Sequence, residues 1–146
     1  GAEYSRCYKK DCKQEMSISI GTHIYEKLSS SASLKRLVRD KIFPVSTLRA
    51  TTFPFILYKR NSLIPNTTKD RYSTGDNVEV EIIVADSNYS RSIIIAEYVR
   101  DLIDKKTGDY KRFSVIDANL ISTDETFSED TFIQRLTFSF ETETND

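Results

Sequence analysis

The chain has 146 residues, 38% of them hydrophobic, with 21 Lys and Arg against 22 Asp and Glu and a net charge of −1. That length suits one domain able to bury a core without a metal or disulfide staple, and the charge balance argues against the broad basic face that general nucleic-acid binding needs. No apolar run approaches the ~20 residues of a membrane span, and the first residues lack the apolar block of a secretory signal, so a cytoplasmic protein is expected.

Residues 1–15 read as an N-terminal extension, in which Gly1 resembles a processing scar and Met16 is a candidate start. Cys7 and Cys12 form a C-x4-C pair, which without further Cys or a suitably spaced His is half a zinc site at best. No metal is therefore assigned. Residues 16–146 are expected to form a single domain.

From Ile20, apolar residues recur at Ile24 and Leu28 with Tyr25 beside them, predicting a first helix. Ser33 is a candidate cap for a short second helix, Leu34 to Arg39. "DKIFPV" reads as extended, because Pro44 disfavours a helical Phe43. "FPFILYKR" predicts a strand that tolerates Pro54 at its start. Arg60 to Asp76 is polar and is expected to be a long loop, a kind often reserved for function. Val78, Val80, Ile82 and Val84 then alternate with Glu79 and Glu81, predicting a strand with one wet face.

The turn "ADSNYSRS" carries no glycine, so it reads as a plain helix cap, with Asp86 or Ser87 as candidate cap residue and a start near Asn88 to Ser90. The helix that follows buries Ile95, Val99, Leu102 and Ile103, with Gly108 expected to supply a positive φ at its end. Phe113 to Ser122 and Thr131 to Thr142 read as closing strands, with Phe138 and Val80 in the core. "TDETFSED" between them is too long for a two-residue turn and is expected to project as an acidic loop. The basic "YSRCYKKDCK" and acidic "STDETFSED" and "ETETND" suit docking as well as solubility. The order α, short α, β, β, α, β, β predicts an α+β fold: a mainly antiparallel sheet with helices packed on one face.

Chemistry is sparse. His23 is the only histidine, is expected to be half-exposed on the first helix, and lacks a G-x-S-x-G elbow to serve. With four glycines in the chain, no phosphate-binding loop or dinucleotide fingerprint occurs. "PFILY" lacks the interleaved Lys and Arg of a base-stacking platform. No catalytic, cofactor-binding or metal residue is assigned, and no enzymatic activity, cofactor, membrane or sequence-specific nucleic acid is expected.

Lys41-Ile42-Phe43-Pro44, then Pro54-Phe55-Ile56-Leu57-Tyr58, then the alternating strand and a helix carrying Ala96, Val99, Arg100, Ile103 and Asp104 follow a familiar order. Over about Met16 to Thr142 this resembles the small phage tail-completion proteins of the tail-terminator type, the class of the lambda tail terminator. The resemblance implies a non-enzymatic ring, typically of six subunits, that caps the tail tube and joins it to the head-side connector. Its partners would be itself, the tail-tube protein and the connector, in the host cytoplasm during assembly and then in the virion tail. Recognition would then fall to loops and wet sheet positions, making Asn61, Lys69, Asp70, Arg71, Tyr72, Glu79 and Glu81 the candidate contact residues. A small cytoplasmic α+β enzyme or ligand-binding domain, or an adaptor module, stays open as an alternative.

Overall fold

The helical and alternating patterns become three α-helices and six strands in the computed structural model, which describes residues 17–45, 51–66 and 75–145. A 3-10 turn at Ser17–Ser19 leads into α1 (Gly21–Ser29), whose Ile24 and Leu28 are buried together with Ile20, four residues apart along one stripe. Helix α2 (Ala32–Val38) begins two residues earlier than expected. Ser31, not Ser33, is its cap: it keeps extended backbone and its Oγ accepts from Leu34 N at 3.2 Å.

Helix α3 (Tyr89–Ile103) buries Ser92, Ile95, Val99 and Ile103 and is capped by Asn88, whose Oδ1 accepts from Arg91 N at 2.9 Å. Asp86, one of the expected caps, instead serves the junction described below. The helix end also differs from expectation. Lys105 adopts the positive φ (64°), and Gly108 does not. Gly108 lies in a short strand, where a Cβ would come within 2.7 Å of Tyr110 Oη and 3.0 Å of His23 Nδ1.

The strands are β1 (Ile42–Pro44), β2 (Phe55–Pro65), β3 (Gly75–Asp86), β4 (Gly108–Asp109), β5 (Phe113–Ser128) and β6 (Thr131–Thr144), in the spatial order β1-β2-β3-β6-β5-β4. The α+β class holds, but the sheet is mixed and not the mainly antiparallel one expected. β1 runs parallel to β2, and the remaining neighbours are antiparallel. Three residues of "IFP" carry no sequence signal for direction. The long connection from Val45 to Pro54 gives the chain room to return in the same sense, which a tight hairpin would forbid.

Two expected loops are strand where the structure describes them. β2 continues through Pro65 after a bulge at Asn61, and Asn66 N bonds to Gly75 O at 2.9 Å. Residues 67–74 lie outside the described residues, and with them Lys69, Asp70, Arg71 and Tyr72. "TDETFSED" is not a projecting loop. It completes β5, and the hairpin closes through Glu129 and Asp130 alone, with φ of 51° and 60°. Two consecutive positive φ values are those of a type I′ turn, whose twist matches the flanking strands.

One apolar cluster holds the elements together. Ile24, Leu34, Val38, Ile95, Val99 and Ile103 from the helices meet Ile56, Val78, Val80, Ile82, Phe113, Leu136, Phe138 and Phe140 from the strands. Val80 pairs across the ladder with Phe138, and Phe138 with Leu120, so the alternation seen in the sequence becomes a cross-strand row. Val80 and Phe138 are fully buried, as expected.

Candidate assembly surfaces

Of the residues singled out as contacts, the structure describes Asn61, Glu79 and Glu81, and it brings them together. The bulge at Asn61 sets its side chain beside the next strand, where Nδ2 donates to Glu79 Oε2 at 3.2 Å. Glu79 and Glu81 alternate with Val78, Val80 and Ile82 and so lie on the sheet face away from the core. Glu81 is drawn into a charge cluster across three strands. Arg135 Nε lies 2.6 Å from its Oε2, although that N–H is not aimed at the oxygen, while Arg135 Nη1 donates to Asp124 Oδ1 at 2.7 Å. On the same face, Phe53, Phe55, Leu57, Ile83, Ala85 and Ile133 border a shallow apolar groove of about 480 Å³.

The strand-to-helix turn is built from polar side chains. Asp86 is fully buried, and the Arg91 guanidinium clasps it with both arms, Nε to Oδ2 at 2.7 Å and Nη2 to Oδ1 at 2.6 Å. Asn88 N also donates to Asp86 Oδ1 at 3.1 Å. The bonds to Asp86 hold the guanidinium proton more tightly than usual, against the opposing pull of burial. One turn on, Gln134 Nε2 donates to Ser92 Oγ (3.2 Å) and Glu125 Oε1 (3.0 Å), and Tyr89 Oη reaches Glu125 at 3.1 Å. The hydrogen bond to Glu125 raises the pKa of the Tyr89 phenol. These bonds fasten the distal half of the long β5–β6 hairpin to the start of α3. That is a positioning function.

His23 is fully buried, contrary to the half-exposed place expected for it. Tyr110 Oη donates to Glu26 Oε1 at 2.9 Å and has no second hydrogen, so at 2.7 Å it accepts from His23 Nδ1–H. The neutral ring thus carries its proton on Nδ1, and Nε2 is left buried without a partner. Burial, and then the Lys27 charge, lower the His23 pKa to about 4. Burial first, then the bond to Glu26, push the Tyr110 phenol far up. The cluster ties α1 to the chain around β4.

Charge is distributed toward opposite ends of the sheet. From Ile116 to Asp130 the chain holds five carboxylates and no Lys or Arg, with Ile116, Ile121 and Phe127 exposed. At the other end, Arg36, Arg39 and Lys41 border an indentation with Phe53 and Pro54. The sequence had marked the first patch as acidic but not as an edge strand, and Arg36, Arg39 and Lys41 were not read as a basic patch. They gather there because α2 ends as β1 begins. Among the described residues, no group of three His, Cys, Asp or Glu side chains could hold a metal ion, and no helix is long and apolar enough to cross a membrane.

Over residues 22–144 the chain matches the family model described as tail completion protein gp17. No curated protein matches it. Among solved structures it is similar to a chain of the virion of a native gene transfer agent (GTA) particle, with a TM-score of 0.69 and 15% identity, over 82% of this chain and 91% of that one. At that identity the likeness is one of fold.

Proposed function

Since the chain belongs to the tail completion protein gp17 family, a structural role in a phage tail is its function, and we propose the form of that role: a ring that caps the tail tube and joins it to the head-side connector. The observation that carries the proposal is the family match, which spans both ends of the sheet and all three helices. The GTA particle chain, a virion component of the same fold, supports it. In this reading the protein works without catalysis or a cofactor. Its helices gather on one face of the sheet, and the opposite face and the loops carry recognition. The subunit associates head to tail around a closed axis, six copies per ring, because heterologous contacts give a finite assembly only when the rotation closes. It is made in the host cytoplasm of a phage or prophage and ends in the virion tail.

Asn61, Glu79 and Glu81, with Lys69, Asp70, Arg71 and Tyr72 from the neighbouring connection, are the proposed contacts with the tube or connector. The test is deletion of the gene from the phage or prophage that carries it, followed by electron microscopy of the lysate. Full heads and unjoined tails are expected to accumulate, and density for a ring at the tube end is expected only when the protein is restored. Normal yields of joined, infectious particles without it would overturn the proposal.

A further inference from the structure

The two ends of the sheet are complementary in charge, exposure and height. The distal half of the β5–β6 hairpin is acidic. Asp124, Glu125, Glu129 and Asp130 crowd its last turns. Among the described residues, β4 pairs only with Ser114 and Val115, so no strand lies against the outer edge of β5, the edge away from β6, from Ile121 to Ser128. All eight of those residues are exposed. A long edge with unpaired N–H and C=O groups is a site that proteins normally cover or use.

The opposite edge is β1, three residues long, flanked by Arg36, Arg39 and Lys41. Lys41 Nζ donates to Thr52 O at 3.0 Å and to Thr52 Oγ1 at 2.9 Å; among the described residues none of these three cations has an ion-pair partner. Nor do Glu129 and Asp130. Among the described residues, charge of opposite sign without an ion-pair partner therefore stands on the hairpin end and beside β1, with Glu129 and Phe53 bordering one groove between them.

Height decides whether these patches can meet. Ile56 N bonds to Lys41 O at 2.9 Å, which sets Lys41 level with Phe55. The ladder then carries that level from Phe55 to Ala85, to Ile133 and to Thr126, in the acidic half of the hairpin. A rotation that closes a ring has no translation along its axis. For strands running along that axis, two surfaces meet around the ring only if they stand near one height. The level of Lys41 falls at Thr126, three residues before Glu129, and the chain before Lys41, with Arg39, extends toward the level of the turn.

We infer that the acidic end of the β5–β6 hairpin of one copy of this chain docks on the Arg36, Arg39 and Lys41 corner of the next copy, forming the head-to-tail contact. The inference rests on the ring reading given above and names the contact that closes it. Exposed Ile121 and Phe127 on the hairpin and Phe53 and Val45 at the basic corner supply apolar surface beside the charges. Asp124 and Glu125 are engaged within the subunit, so Glu129 and Asp130 supply the charge that seeks a partner.

The test uses the full chain in two charge-reversed forms, Glu129→Lys with Asp130→Lys, and Arg36→Glu with Arg39→Glu. Association is followed by sedimentation velocity over a range of concentrations and by microscopy on tail tubes. Each form alone should associate at least about tenfold more weakly than wild type, since like charges then face each other. Both should keep the wild-type melting temperature. Mixing the two, or combining all four substitutions in one chain, should restore assembly, because opposite charges face each other again. Wild type that assembles while both reversed forms assemble equally well overturns the contact and leaves the ring standing. Wild type that remains monomeric alone and on tubes overturns the ring itself and the contact with it. Loss in both forms without rescue on mixing or combination also rejects the contact.

Discussion

His23 carries a consequence for pH that follows from its protonation state. Folded, its pKa is about 4, against an ordinary 6.5. Between those values the unfolded chain takes up a proton that the folded ring refuses, so stability is full above 6.5 and falls as the pH drops toward 4. The loss has a ceiling of about 3 kcal/mol, at 1.36 kcal/mol per pKa unit. A His23→Leu variant should lose that slope while keeping the Tyr110–Glu26 bond, and denaturant melts from pH 7.5 to 4.5 on both proteins measure it. Parallel curves would show that the ring is not the titrating group. Gly108 belongs to the same site. A Gly108→Ala methyl meets Tyr110 Oη at 2.7 Å, so it should destabilise by about 1–3 kcal/mol, the usual cost of overpacking. The helical stripe of Ile20, Ile24 and Leu28 was legible in the sequence, but the burial of His23 was not. Its covering walls, Tyr110 and Phe140, come from 87 or more residues away.

Among the elements, β6 was readable because its alternation faces one core, with Leu136, Phe138 and Phe140 in step. Phe138→Asp should prevent folding, since burying an unpaired carboxylate costs several kcal/mol, comparable to the ~5–15 kcal/mol of a whole domain. Cooperative melting of that variant, followed by circular dichroism, would show the strand phase to be wrong. The far half of β5 was unreadable for a physical reason. Ile121 to Ser128 are exposed on both faces, so no alternation is selected and the segment imitates a loop. Its turn keeps the mark of that ambiguity. Glu129 and Asp130 occupy positive φ without the Asn-Gly pair that suits it. Glu129→Asn with Asp130→Gly should therefore stabilise by about 1 kcal/mol, the left-handed cost removed, which raises the melting temperature by roughly 2–4 °C in a chain of this size. An unchanged or lower melting temperature would contradict the turn assignment.

For the whole molecule, stability and the proposed assembly contacts are separable because they reside in different parts of the chain. The helices and the core-facing strand positions form one apolar cluster, while Asn61, Glu79 and Glu81 lie outside it. The tail role was legible from the order of weak packing motifs, and the family match agrees with it. The contact surface was less legible, because recognition residues obey no packing period. The connection carrying Lys69 and Arg71 enters and leaves the sheet at a clamped point. Asn66 N bonds to Gly75 O at 2.9 Å, and Gly75 lies so close to β6 that a Cβ would stand 2.0 Å from Thr142 O. Gly75→Ala must therefore disturb the sheet and lower the melting temperature. Substitutions between the clamps should not. Lys69→Glu with Arg71→Glu should leave the melting temperature unchanged, yet reverse the sign of two charges flanking Asp70. If this connection touches the tube or connector, that variant melts normally and leaves tails uncompleted, while Gly75→Ala loses both properties together. Normal infectious tails from the charge-reversed variant would remove the connection from the contact surface and leave recognition to the described strands.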